Sequence, residues 1–406
     1  MRTILKTLPM RKISAHFILD GLGNSYEKGI LVLDSDGTVL DIEDTGGNLS
    51  ESSGVEFYSG VIVPGFVNAH CHLELSHLKD TFPAGSGHVP FLKQMVQNRV
   101  SDQEKITKAA EIADLQMYKD GIVAVGDISN GTHSFEVKSR SRIYYFTFLE
   151  ALGFSPERAL QAFEWVENCR LIADTLGLSA SIVPHSPYSA SEPLFRTIAA
   201  EAEKTGLPLS FHSQECMEED ELYKFGTGAL ISHLHDNLKI DASFFKPTGG
   251  NSLESTLEYF PQRNNLLLVH NLNTQQSDID FILKNRVSDN TWFVLCPGSN
   301  LYIQDRLPDI ELFRKNKLQI CLGTDSLVSN HQLSILEEMK IIQHANPAIS
   351  LTEMIHWACC NGANALNIGD WAGSLEIGKR PGINLLTGVD LVNDGLLPGT
   401  KVRRLC

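Results

Sequence analysis

The chain has 406 residues, 42% of them hydrophobic and 20% charged, and a formal net charge of −15 at pH 7. This is ordinary globular composition with enough apolar material for a sizeable core, which excludes a largely disordered chain. The acidic balance excludes nucleic acid and anionic membrane as expected partners, since phosphate contacts need clustered Lys and Arg; Lys401-Val402-Arg403-Arg404 is too short to reverse it.

The stretch Met1–Arg11 is basic, but no long apolar run follows it, so no secretory signal is expected. No uncharged apolar run approaches the ~20 residues that span a bilayer. The eight cysteines are scattered, with no C-x-x-C pair, and read as reduced thiols in a cytoplasmic protein. Residues 1 to about 60 predict short strands: Gly29–Leu33, the turn signal Asp36-Gly37, then Thr38-Val39-Leu40. From Val61 the pattern changes. Strands are predicted at Val61–Val67, Ile122–Val125, Ile143–Leu149, Leu178–Val183, Pro208–His212, Leu266–His270, Thr291–Leu295 and Gln319–Leu322. Helices are predicted at Glu104–Tyr118, Pro156–Leu176, Glu192–Thr205, Gln275–Lys284 and Ile310–Lys315, then at Leu333–His344 and Leu351–Leu366. Near-continuous apolar strands separated by helices imply a parallel sheet buried on both faces. Eight in a row predict an α/β fold, a (β/α)8 TIM barrel over residues 61–371. The Gly-punctuated tail is expected to join the N-terminal unit, so that residues 1–60 and 372–406 form a small β-sandwich domain from both chain ends.

Histidine placement carries the chemistry. His70 and His72 close the first strand candidate, and positions i and i+2 of a strand point to one side. His212 ends the fifth strand candidate and Asp325 follows the eighth, in Gly323-Thr324-Asp325-Ser326. In such a barrel the C-terminal strand ends converge on the active site, so three imidazoles and one carboxylate there form a site for one divalent cation, zinc first, with iron or manganese as alternatives. Glu215, three residues beyond His212, is placed to lean over that site, and His270 ends the sixth strand candidate. A bound cation lowers the pKa of its water from 15.7 to about 7. Asp325 can then orient the water and accept its proton, Glu215 can pass a proton to a ring nitrogen, and His270 can stabilise the developing oxyanion.

The segments Pro64–His72, His212-x-x-Glu215, Val269-His270-Asn271 and Gly323–Ser326 resemble the amidohydrolase superfamily, in the order and spacing of its mononuclear aminohydrolase branch. That branch includes guanine, S-adenosylhomocysteine and aminodeoxyfutalosine deaminases and the triazine chlorohydrolases. The likeness spans nearly the whole chain, with Gly373–Lys379 as the return segment of the split β domain. It implies four ligands, His70, His72, His212 and Asp325, and catalytic roles for Glu215, His270 and Asp325. His72–Ser76, Pro184–Ser189 and Cys296–Tyr302 are similar to the aminodeoxyfutalosine and S-adenosylhomocysteine deaminases. That likeness implies substrate contacts at Glu74 and His185. The Ser299-Asn300 pair is read either as a further substrate contact or as a loop cap. The fourth strand candidate holds no Lys, which sets aside the binuclear branch with its bridging lysine.

Other patterns lead elsewhere. Gly373-x-x-x-x-Gly378-Lys379 approaches a phosphate loop, but Arg380 stands where Ser or Thr is required. His233-Leu234-His235 repeats the His-x-His spacing in a polar stretch and is read as surface. The segments His77–Lys105 and Leu222–Asn251 are expected to shape the pocket, without an element assignment. The expectation is an aminohydrolase releasing ammonia from a small heterocycle, foremost an aminopurine nucleoside of the aminodeoxyfutalosine kind. Guanine or S-adenosylhomocysteine deamination and ring-halide hydrolysis are the neighbours, and a non-catalytic metal-binding scaffold is the reading from another class. A homodimer is a prior only.

Overall fold

The computed structural model describes residues 10–49 and 54–406; most of the basic stretch Met1–Arg11 lies outside the described residues. Five strands open the described chain: β1 (Arg11–Leu19), β2 (Ser25–Glu27), β3 (Ile30–Leu33), β4 (Val39–Glu43) and β5 (Val55–Pro64). Eight follow between helices: β6 (Phe66–Cys71), β7 (Ile122–Ser129), β8 (Tyr144–Ala151), β9 (Ser179–Pro184), β10 (Leu209–Ser213), β11 (Leu266–His270), β12 (Thr291–Leu295) and β13 (Gln319–Leu322). The hairpin of β14 (Ile383–Asp390) and β15 (Gly395–Arg404) closes the chain.

Strands β6 to β9 form one parallel four-stranded sheet and β10 to β13 another. The two seams between them are stitched. The His212 amide donates to the His185 carbonyl (2.9 Å) across one; the Thr324 and Asp325 amides donate to the His70 carbonyl (3.0 and 3.1 Å) across the other. Cys71 and Asp325 form a parallel bridge at the same place. The sheet therefore closes as a barrel, and its strands are covered on both faces: every residue of β7, β11 and β12 is buried.

The helical layer starts with α1 (His88–Asn98), α2 (Gln103–Lys119), α3 (Phe135–Arg140), α4 (Ala159–Thr175) and α5 (Glu192–Thr205). It continues with α6 (Met217–Phe225), α7 (Ala229–Asp236), α8 (Ser252–Thr256), α9 (Gln276–Asn285), α10 (Pro297–Gln304), α11 (Ile310–Lys315) and α12 (Ile335–Ala345). The last expected helix, Leu351–Leu366, is α13 (Leu351–Ile355) and α14 (Gly362–Ala365) joined by a π-helical stretch, His356–Asn361. Its Asn361 side chain donates to the Ile320 carbonyl at 2.8 Å, tying that stretch to β13. No helix among the described residues is long and apolar enough to cross a membrane.

Strands from both chain ends share one seven-stranded sheet, ordered β15-β14-β5-β1-β3-β4 with β2 beside β1, over its own apolar core around Ile13, Leu31, Ile62 and Leu385. The return segment is hydrogen-bonded into it, with the Leu375 amide on the Asp20 carbonyl (2.9 Å) and the Gly378 amide on the Val39 carbonyl (2.8 Å). The expected strand Val61–Val67 is in fact two: Val61–Pro64 end β5, and the barrel begins at Phe66. Gly65 makes the crossing. A Cβ there would sit 2.2 Å from the Val123 side chain and 2.5 Å from the Pro381 carbonyl oxygen, so only a glycine passes between the two sheets.

Candidate active site

His70 lies on β6 and His72 just past it, and their Nε2 atoms stand 3.2 Å apart. The His212 Nε2, on β10, is 3.4 Å from that of His72. Asp325 follows β13 and turns Oδ1 toward the same point, 3.4 Å from His72 Nε2 and 3.8 Å from His70 Nε2. Bonds of 2.0–2.1 Å to a tetrahedral Zn²⁺ place donor atoms roughly 3.3–3.4 Å apart. The imidazole spacings match that edge, and all four side chains are buried. A cation between these nitrogen lone pairs would relieve their crowding, and the donor set fits one divalent ion.

The surrounding groups hold these rings. His212 turns Nδ1 to the His185 carbonyl (3.0 Å) and to Glu150 Oε1 (3.3 Å), leaving Nε2 for the site. Glu150 Oε1 also lies 2.8 Å from His185 Nδ1. Burial pushes the Glu150 carboxyl up, but His185 and then His212 outweigh it and hold it well below the usual range. Asp325 Oδ2 accepts from the Ser299 hydroxyl (2.6 Å) and the Ser329 hydroxyl (2.7 Å). Burial, reinforced by neighbouring imidazoles, keeps His70 neutral far below its ordinary pKa; burial, partly offset by Asp325, brings His72 to about 4. His212 goes the other way, to about 9, because Glu150 outweighs burial.

The backbone is strained around this point. Gln214, His270, Asn271 and Asp325 all have φ between 50° and 74°, a region costing about 1–3 kcal/mol for a residue with a Cβ and concentrated at functional sites. On β7, beside β6, Asp127 forms a fully buried ion pair with Lys138, and its Oδ1 accepts the Leu73 amide at 2.8 Å, pinning the turn that follows His72.

Glu215 Oε1 lies 3.6 Å from His270 Nε2 and 3.3 Å from His88 Nδ1. Its backbone is fixed at both polar groups: the amide donates to Glu219 Oε1 (2.9 Å) and the carbonyl accepts from the Gln304 side chain (2.7 Å). Burial pushes its carboxyl up, but His270 and His88 together hold it well below the usual range.

A cavity of about 480 Å³ opens over these groups. His72, His185, His212, Glu215, His270 and Asp325 line its polar end. Phe91, Leu92 and Met95 of α1 and Leu230 and Leu234 of α7 line its apolar half. The two segments expected to shape the pocket, 77–105 and 222–251, do so through these helices.

The remaining expected substrate contacts are placed unevenly. His185 lines the cavity. Glu74 is buried beside it, with Oε1 on the Asn130 amide (3.2 Å), 3.6 Å from Arg99, and with Oε2 unpartnered; burial lifts its carboxyl to about 7. Ser299 is fully buried and spends its hydroxyl on Asp325, and Asn300 is buried beside it; neither lines the cavity. His233 corrects the surface reading of His233-Leu234-His235: on α7 it is buried and lines the cavity, while His235 is exposed. Sequence reasoning missed His88, Glu150, Ser329 and Tyr188. Only Glu150, a lone carboxylate closing the apolar run of β8, carried a usable signal.

Residues 61–398 match the amidohydrolase family. Among curated proteins, the chain is similar to an adenosine deaminase of Helicobacter pylori, 29% identical over 338 residues (81% of this chain, 79% of that one). It is also similar to a 5-methylthioadenosine/S-adenosylhomocysteine deaminase of Saccharophagus degradans, 24% identical over 400 residues (91% and 81%). Among solved structures, the Helicobacter pylori aminofutalosine deaminase in complex with methylthio-coformycin superimposes with a TM-score of 0.79 at 24% identity, over 93% of this chain and 92% of that one.

Proposed function

The chain belongs to the amidohydrolase family, and from that premise we propose that it is a metal-dependent aminohydrolase that releases ammonia from a 6-aminopurine nucleoside, foremost one of the aminodeoxyfutalosine kind. The relatives named for adenosine and methylthioadenosine deamination support the substrate class. The observation that carries the reading is the convergence of His70, His72, His212 and Asp325 on one point, with Glu215 buried within reach of His270 at the polar end of the cavity.

In this proposal those four residues hold one divalent ion, zinc by its donor set. When bound, the ion activates water for attack near neutral pH. Asp325 takes a proton from the attacking water and hands it to the departing amine. Glu215 delivers a proton to the ring nitrogen, which makes the amino-bearing carbon electrophilic, and recovers one from the new hydroxyl as the C–N bond breaks. The products are ammonia and the oxo heterocycle, and both carboxyls return to their starting state. His270 holds Glu215 and faces the developing oxyanion. The apolar half of the cavity excludes water and accepts the body of the ligand.

The test is to determine the bound metal of the purified protein and to follow ammonia release from adenosine, 5′-deoxyadenosine, methylthioadenosine, S-adenosylhomocysteine, aminodeoxyfutalosine and guanine. Turnover of the 6-aminopurine nucleosides above guanine is expected. Glu215→Gln should keep the metal and lose about 10²–10⁴-fold in kcat. No release from any of these compounds by fully metallated protein overturns the reading.

A further inference from the structure

We propose that His88 is a positioning residue for the reaction proposed above: it stores the proton that Glu215 delivers and joins the cavity-lining helix α1 to that carboxylate. The inference rests on the deaminase reading and adds a residue outside the family motifs.

Three observations converge on this imidazole. It is buried, with only 2% of its side chain exposed. Its Nδ1 has no hydrogen-bond partner other than the approach to Glu215 Oε1 at 3.3 Å, the same oxygen that faces His270. Its Nε2 lies 2.8 Å from the Tyr188 hydroxyl, with the two rings edge to face at 5.7 Å. His88, Tyr188, Glu215 and His270 all line the cavity.

A purely structural role explains the arrangement poorly. His88 is the first residue of the 11-residue α1, behind Gly87, which offers no side-chain cap. An imidazolium at that end meets the positive pole of the helix dipole, so the helix itself disfavours a charge there. Glu215 supplies what the helix does not. Glu218 and Glu219 on α6 add to its field, and His233 on α7 and His270 at the end of β11 oppose it. The carboxylates prevail over burial and raise His88, while His270 and His88 hold Glu215 low. A proton held between the two therefore resides on the imidazole and not on the carboxylate.

The proton balance closes. His88 begins as imidazolium and Glu215 as carboxylate. The Nδ1 proton passes to Glu215 Oε1 and on to the ring nitrogen; the Nε2 proton remains directed at Tyr188. When the new hydroxyl surrenders its proton to Glu215, that proton returns to His88 Nδ1. No external acid is consumed.

Two measurements test this. The metallated protein carrying ring-15N histidine is titrated by NMR, with His88 assigned by loss of its signal in His88→Gln. An imidazolium at pH 7 that becomes neutral in Glu215→Gln is expected; a neutral His88 in the wild type at that pH overturns the proposal. The pH profile of ammonia release from adenosine and methylthioadenosine is then compared. His88→Gln should lose about 10²-fold in kcat with little change in KM, keep its metal and melting temperature, and lose the wild-type basic limb. Imidazole in the buffer should partly restore His88→Gly. A His88→Gln enzyme with wild-type kcat and pH profile overturns the proposal. A wild type that deaminates no purine sinks the deaminase reading instead, and the NMR titration alone then decides whether the pair holds its proton on His88.

Discussion

Glu150 is not among the proposed metal ligands, yet its removal should be felt at the metal position they define. The His212 Nδ1 proton is shared between the His185 carbonyl at 3.0 Å and Glu150 Oε1 at 3.3 Å. In Glu150→Gln the carbonyl still fixes the ring and its tautomer, but the negative charge that makes His212 a stronger donor is gone. Loss of such a supporting group costs 10–100-fold in metal affinity, or about 1.4–2.7 kcal/mol. Because the carbonyl is the shorter of the two contacts, the expected loss lies near the lower end, roughly tenfold. The amide also retains an oxygen for His185, whose Nδ1 now sits 2.8 Å from Glu150, so the cavity wall should keep its shape. Competition with a fluorescent zinc chelator at fixed pH measures the dissociation constant, and far-ultraviolet circular dichroism checks the fold. A folded variant that binds zinc as tightly as wild type would falsify the claim that Glu150 orients and polarises His212.

Chelation should lower the unfolding temperature reversibly: with free metal at ~100 times its dissociation constant, removing it costs about 2.7 kcal/mol, and a calorimetric scan unaffected by chelator contradicts a metal held in the folded state. Gly323→Ala should expel the metal without unfolding the barrel, because the added Cβ would lie 2.8 Å from the His70 Cβ and 3.0 Å from the Cys296 sulfur; metal analysis showing full occupancy argues against that clash. Phe148→Ala, at a fully buried ring on β8, should cost about 3–5 kcal/mol, read as a lower denaturant midpoint with an unchanged slope.

The barrel was legible because its code is local. A parallel strand buried on both faces must be apolar along its whole length, and Leu266–His270, Thr291–Leu295 and Gln319–Leu322 coincide with observed strands to the residue. The ligand candidates were legible for a related reason: His70, His212 and Asp325 each stand at or just past the C-terminal end of such a run, and the barrel brings those ends together. The strand reading failed at Val61–Val67, where an unbroken β-branched run hides a passage from one sheet to another; only the packing of Gly65 against Val123 reveals it. The helices α1 and α7 escaped because both are short and each opens behind a glycine, Gly87 and Gly228, with no side-chain cap to mark its start.

The sequence by itself determined the strand–helix alternation, and through its eight repeats the closed sheet, together with the four residues at its open end, since each strand and each strand-end residue is a property of one short segment. Tertiary structure alone decided what surrounds them. His88 meets Glu215, Glu150 meets His212, and Ser299 and Ser329 meet Asp325 across separate elements. Those are single polar side chains whose role depends on burial and on partners far along the chain, and neither is written in the neighbourhood of the residue itself.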